Sequence, residues 1–234
     1  MNAGVVYLIP SVLDEKATAS IPPLVVESIR DCQVFFAENE RTARRFFKSI
    51  WKEMVIDDYQ WYTIHKAEEL VQTQFLQCLR EGKNVGIVSE AGCPGIADPG
   101  QQLVQRAHEA GFLVKPLVGP SSILLALMAS GMNGQQFHFH GYLPVDSQER
   151  TRRIRELESD SRRHDCTQIF IETPYRNNPL LDALLKTCQP ATRLCVAVDL
   201  TGEKEWIRSN RVSEWKKMSV DLHKRPAIFL LYHG

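Results

Sequence analysis

The stretch from Val85 to Ser122, VGIVSEAGCPGIADPGQQLVQRAHEAGFLVKPLVGPSS, constrains the fold more than any other part of the chain. It opens with a β-branched apolar run, Val85 to Val88, of strand length. A ten-residue loop follows, from Ser89 to Asp98, with two glycines and a proline. Asp98 reads as a helix N-cap, with Pro99 at the first helical position and Gln101 three residues past the cap. That helix is expected to run to Ala110 and to stop at Gly111. A strand from Leu113 to Leu117 then leads into a second turn, Gly119-Pro120-Ser121-Ser122, and another helix. Strand, loop, helix, strand, loop, helix predicts an α/β fold with parallel strands and right-handed crossovers. Both loops then leave at the carboxyl ends of their strands, the edge where open α/β sheets bind ligands. Glycine lets such a loop turn sharply and press close to a ligand. Ten residues exceed what a plain connection needs, which points to a ligand loop.

The rest of the chain extends this pattern. Val5 to Ile9 predicts a first strand, Ser11 to Pro23 a loop, Leu24 to Asp31 a short helix and Val34 to Ala37 a second strand. The sequence AENERTAR follows that strand and places Glu38, Asn39, Glu40 and Arg41 at the same carboxyl edge. Thr42 to Trp51 predicts a basic, aromatic helix, Trp61 to Ile64 a strand, and Lys66 to Glu81 a helix after His65. Ser122 to Ser130, SILLALMAS, is apolar on nearly every face, the pattern of a helix buried on all sides. The boundary is placed before it, giving domains 1–118 and 119–234, the first with a mostly parallel sheet and the second with a mixed one. Phe137 to His140 predicts a half-exposed strand with His138 and His140 on one face. The helix SQERTRRIRELESDSRRH carries six arginines between Arg150 and Arg163, either a solvated face or a phosphate-facing patch. Thr167 to Ile171 predicts a strand ending in Glu172-Thr173-Pro174-Tyr175-Arg176, and a helix then runs to Cys188. Strands Arg193 to Val198, Glu205 to Ser209 and Ala227 to Tyr232 close the chain.

Composition narrows the classes. The 234 residues carry 28 Lys plus Arg against 28 Asp plus Glu, so no global charge draws the chain to nucleic acid or membrane. Six scattered cysteines form no CxxC pair and no metal-ligand spacing, so no metal is expected and the thiols read as reduced. The opening MNAGVVYLIP lacks a basic flank and a cleavage site, and reads as a strand rather than a leader. No apolar run has bilayer-spanning length. These features predict a soluble, cytoplasmic protein with no membrane partner. The chain contains neither a G-x-G-x-x-G nor a P-loop motif, and no G-x-S-x-G elbow. Facing loops from two half-chains predict a small-molecule cleft between domains.

SEAGCPGIADPG, PLVGPSS, GYLP, ETPYR and DLTGEKE occur in this order along the chain. Together they resemble the tetrapyrrole methylase superfamily, and within it most closely the branch of ribosomal RNA small-subunit methyltransferase I, which methylates a cytidine ribose. The resemblance runs from VVYLIP to the final strand. It implies a two-domain α/β protein, usually a homodimer, that binds S-adenosyl-L-methionine in an interdomain cleft. Position by position, Ala91, Gly92, Cys93, Pro94, Ile96 and Ala97 match the family's methionine-side loop, and Ser121 and Ser122 its second binding turn. Ile171 and Glu172 match the cleft-lining strand end, and Pro226 and Ala227 a backbone contact near the adenine. Glu38 and Arg41 match an acidic-arginine motif, and Tyr175-Arg176 an aromatic or His position followed by arginine.

The chain departs from the branch at Pro10 to Lys16, PSVLDEK, where a proline-threonine-proline-isoleucine-glycine-asparagine-leucine turn is usual. Asn39-Glu40 replace an Asp-Thr pair, and Cys93 replaces a Thr. These positions bear on the methyl acceptor more than on the cofactor. The resemblance adds weight to the phosphate-facing reading of the Arg150 to Arg163 helix beside the solvated one, and implies ribosomal RNA or the small ribosomal subunit as the expected partner. In-line transfer to a hydroxyl needs alignment and a base. Glu38 and Glu172 are the carboxylates expected to serve, with Arg41 and Arg176 on phosphate; alternatively each glutamate pins a loop by pairing with an arginine. Three activities are open: RNA ribose methylation, methylation of a tetrapyrrole or other small molecule, and cofactor binding without catalysis.

Overall fold

A computed structural model describes residues 3–64 and 69–234. The chain divides into two compact units, residues 1–121 and 122–234. In the first, β1 (Val5–Ile9), α1 (Pro23–Arg30), β2 (Val34–Ala37), α2 (Glu40–Ile50), β3 (Gln60–Thr63), α3 (Glu69–Arg80), β4 (Val85–Val88), α4 (Gly100–Glu109) and β5 (Leu113–Pro116) alternate. The expected start of α3 at Lys66, and His65 before it, lie outside the described residues. All strands are parallel, in the order β3-β2-β4-β1-β5. The chain therefore steps toward one edge from β1 to β3 and back toward the other through β4 to β5, which makes a switch point.

Every residue of β2 and β4 is buried, as expected of strands covered on both faces. One face packs Phe35 against Phe47 and Trp61, with ring centroids 4.9 Å apart in each pair. The other stacks Phe36 on Tyr62 and sets it edge-on to Phe75. Gly86 makes this layering possible, because a Cβ there would come within 2.6 Å of both Ile9 and Phe35.

The second unit holds α5 (Ser122–Ser130), β6 (Phe137–Tyr142), α6 (Ser147–His164), β7 (Thr167–Ile171), α7 (Asn177–Thr187), β8 (Arg193–Val198), β9 (Trp206–Arg211), α8 (Val212–Trp215) and β10 (Ala227–Tyr232). Its sheet runs β6-β7-β10-β8-β9, parallel between β6 and β7 and antiparallel elsewhere. The parallel and mixed sheets agree with the α/β expectation. In α6, Ile154, Leu157, Glu158 and Ser161 are buried at helical spacing, and Asp146 caps the start by accepting from the Gln148 and Glu149 N–H groups.

Several expectations are corrected. Pro99, not Asp98, is the N-cap of α4, and the helix begins at Gly100. Asp98 Oδ1 still accepts from Gly100 N (2.8 Å), the first N–H of the helix, and also from Gly95 N (2.9 Å), which braces the loop. α5 is not buried on all sides: Leu124 is 52% and Met128 79% exposed, and only Ala126, Leu127 and Ser130 are covered. In this unit it packs on β8, β9 and β10. α2 starts two residues earlier than expected because Asn39 caps it. α8 was not anticipated, and β9 runs through Arg211 rather than stopping at Ser209. Among the described residues no helix is long and apolar enough to cross a membrane.

Candidate functional site

In the first unit the register pairs Ile9 with Val88, Ala37 with Val88 and Leu8 with Pro116, so four strands end level. Their loops meet there. Ser11 and Gly92 exchange backbone hydrogen bonds of 2.8 and 3.2 Å, tying the first loop to the glycine loop. Ser89 Oγ donates to the Ala91 carbonyl at 3.1 Å. The Cys93 thiol donates to the Pro120 carbonyl at 3.5 Å, and burial raises its pKa, so it serves as a spacer rather than a nucleophile. Gly119 lies so close to Pro10 that an added Cβ would come within 2.1 Å of the proline ring.

Gly92 takes a left-handed φ of 72°, and Ala97 one of 59°, a strained choice for a residue with a Cβ. Ile96 and Ala97 stand exposed at this turn, and Pro94 is buried beneath it. The predicted methionine-side residues Ala91, Gly92, Cys93, Pro94, Ile96 and Ala97 are thus gathered on one braced loop. Ser121 is half-buried beyond Pro120, and Ser122 opens α5.

Glu38 leaves β2 at this edge, and its Oε2 accepts from Glu90 N at 2.8 Å. Burial raises its pKa; the Glu90 N–H works against the shift, and the negative charges of Asp98 and Glu90 add to it. Burial likewise raises Asp98, opposed by its two N–H donors. Glu38 is therefore a stronger proton acceptor than an ordinary carboxylate. Arg41 is exposed on the first turn of α2. Asn39, at a departure from the family pattern, caps that helix through Thr42 N.

In the second unit the β7–β10 ladder pairs Ile171 with Ile228, which brings Glu172 beside Ala227 and Pro226. The Glu172 side chain is fully buried, and Oε1 accepts from Thr173 N (2.7 Å), Arg176 Nε (2.9 Å) and Arg176 Nη2 (2.6 Å). Its Oε2 is buried with no protein partner among the described residues. Arg176 therefore holds Glu172, and Glu172 keeps one acceptor to offer. Ile171, Glu172, Pro226 and Ala227 come together as expected.

The structure singles out further residues that the position-by-position matches did not name. Asp199, Thr201 and Lys224 all take left-handed φ values, and Arg225 Nε binds Asp199 Oδ2 at 2.7 Å. DLTGEKE flagged the first two as a segment, whereas no local signal distinguishes Lys224. The arginines of α6 divide: Arg152, Arg155, Arg162 and Arg163 are exposed, while Arg153 is half-buried against Glu156 and His140. His138 and His140 do share a face, with ring centroids 6.1 Å apart. Burial lowers the His140 pKa, as expected of a packed imidazole. Among the described residues no three His, Cys, Asp or Glu side chains gather as a metal set.

Residues 17–215 match the family model of Tetrapyrrole (Corrin/Porphyrin) Methylases. The ribosomal RNA small subunit methyltransferase I of Micromonospora olivasterospora is 32% identical over 91% of this chain and 64% of its own length. The protein of that name from Vibrio cholerae is 34% identical over 74% of this chain and 60% of its own. A third, from Escherichia coli O157:H7, is 32% identical over 71% and 58%. The chain thus spans about three-fifths of the length of these relatives. The fold is shared with the methyltransferase CobJ, at a TM-score of 0.65 and 18% identity over 99% of this chain and 95% of that one. It is shared too with Thermus thermophilus uroporphyrin-III C-methyltransferase complexed with S-adenosyl homocysteine, at a TM-score of 0.57 and 16% identity over 98% of each chain. A family match over most of the chain makes this protein a member of the tetrapyrrole methylase family.

Proposed function

We propose that this chain is an S-adenosyl-L-methionine-dependent methyltransferase that 2′-O-methylates a ribose of small-subunit ribosomal RNA. The observation that carries the reading is the carboxyl edge of the first unit, where a glycine loop braced on Ser11, Asp98 and Pro120 stands next to a carboxylate of raised proton affinity, Glu38. The names of the relatives support RNA as the acceptor. The exposed Arg152, Arg155, Arg162 and Arg163 supply the clustered cations that backbone binding needs. The apolar surface of α5 at Leu124 and Met128 supports a homodimer.

The residues fit the cofactor. Glu172 Oε2, buried and unpartnered, suits an amine or hydroxyl donor. The carboxylates Glu38, Glu90 and Asp98 give the first-unit loop a negative field suited to a cation. Within the first unit Ala91, Gly92, Cys93, Pro94, Ile96, Ala97 and Ser121 are the residues assigned to the cofactor, and within the second Ser122, Ile171, Glu172, Pro226 and Ala227 are assigned. The cofactor, when bound, supplies a methyl group already activated on sulfonium. Glu38 takes the proton of the acceptor hydroxyl, Arg41 binds a flanking phosphate, and Arg176 orients Glu172.

The test is transfer of labelled methyl from S-adenosyl-L-methionine to ribosomal subunits that lack the modification. Label in the ribose of small-subunit RNA is expected, with Glu38→Gln at least about a hundredfold slower, the scale of a lost general base. Label appearing only in a tetrapyrrole would transfer the assignment to small-molecule methylation. Cofactor binding by calorimetry with no transfer to either acceptor would reduce the chain to a binding module.

A further inference from the structure

Two loops of the second unit are stitched together beside Glu172. Lys224 N donates to the Pro174 carbonyl at 3.1 Å, Asn177 Nδ2 to the Arg225 carbonyl at 2.7 Å, and Leu222 N to Asn178 Oδ1 at 2.8 Å. On this frame Tyr175 stands 67% exposed. The His223 ring meets it edge-on, with centroids 5.9 Å apart, and the Lys224 ammonium lies 5.8 Å from its centroid. Lys224 reaches that place through a left-handed φ of 60°, a conformation that disfavours a lysine. Tyr175 belongs to none of the hydrophobic core clusters, so burial does not account for the ring. A rigid frame thus presents a largely exposed aromatic ring with a cation over one face. The neighbouring guanidinium groups of Arg176 and Arg225 are engaged by Glu172 and Asp199, which leaves Lys224 as the cation directed at the ring.

We propose that Tyr175 is a stacking platform for one unpaired base of single-stranded RNA, with Lys224 on the adjoining phosphate. The proposal rests on the RNA reading above and deepens it. Unpaired bases stack on exposed aromatic rings whatever their identity, and a nearby ammonium neutralises the backbone. A single exposed ring flanked by a cation suits a nucleobase better than a protein partner, whose binding surface would be a broader apolar patch.

The experiment titrates the full chain with fluorescein-labelled oligocytidine RNA and compares it with Tyr175→Ala, Tyr175→Phe and Lys224→Gln. Tyr175→Ala should weaken binding by about tenfold or more, and Tyr175→Phe should keep it. Lys224→Gln should reduce the salt slope by about one. Calorimetric affinity for S-adenosyl-L-methionine should be unchanged in all three, which also shows that they fold. Binding by Tyr175→Ala within about twofold of the parent would overturn the platform, and so would an equal loss in Tyr175→Phe. If those results came with intact methyl transfer to ribosomal subunits, the platform alone would fall. A parent that neither binds the oligonucleotide nor methylates ribosomal RNA would remove the RNA reading and the platform together.

Discussion

Glu38 feels opposed influences, with burial and two neighbouring carboxylates raising its proton affinity against one N–H donor. The folded chain therefore keeps this proton at pH values where the unfolded chain has released it. In that window stability falls as pH rises, because the native state binds the extra proton. Glu38→Gln removes the ionisation and leaves a carbonyl able to accept from Glu90 N. Thermal melts should show the variant close to the parent at acid pH and more stable than it above the window. A parent-like pH slope in the variant would place the effect elsewhere, with Asp98 the next group to examine. The Glu172–Arg176 pair behaves differently. Its carboxylate is fully buried and its arginine 35% exposed, so Arg176→Ala strands a buried charge beside water. A fully buried pair broken this way loses about 3–5 kcal/mol, and the exposed arginine reduces that to roughly 2 kcal/mol. Chemical denaturation should register the loss, and adding Glu172→Gln should recover most of it.

Local rules account for most of the elements. The buried runs VFFA and VGIV became parallel strands, and the 3.6-residue spacing of Ile154, Leu157 and Ser161 placed α6 against its sheet. α2 shows how a departure from the family pattern can be structural. Asn39 Oδ1 accepts from Thr42 N at 3.2 Å and sets the start of the helix. Asn39→Ala should cost about 1 kcal/mol in urea unfolding, while Asn39→Asp should stay within a few tenths because either side chain caps. Such capping was legible in ENERTAR only as a choice among several polar residues. Asp98 lies one residue before the N-cap, and its carboxylate serves twice, accepting from the first N–H of α4 at Gly100 and from Gly95 within the loop.

In each unit strand order decides which loops become neighbours. The order β3-β2-β4-β1-β5 sets the loops after β1, β2, β4 and β5 at one edge, and the β7–β10 pairing sets Glu172 beside Ala227. The glycine loop, the α/β alternation and the presence of a parallel and a mixed sheet were all readable from the chain, because glycine turns, strand runs and helix spacing are properties of a few consecutive residues. The raised proton affinity of Glu38 was not readable, since it comes first from burial of the carboxyl and then from the nearby charges of Asp98 and Glu90, all of them set by the folded topology. Nor was the half-open α5, whose apolar composition states only that it avoids water and not which neighbours cover it. The platform at Tyr175 needed Lys224 brought back 49 positions along the chain. The sequence by itself determined most of the elements and the family, because both reside in local order. Tertiary structure alone decided which charges are buried and which are paired, because those depend on groups remote in the chain that only the folded topology brings into contact.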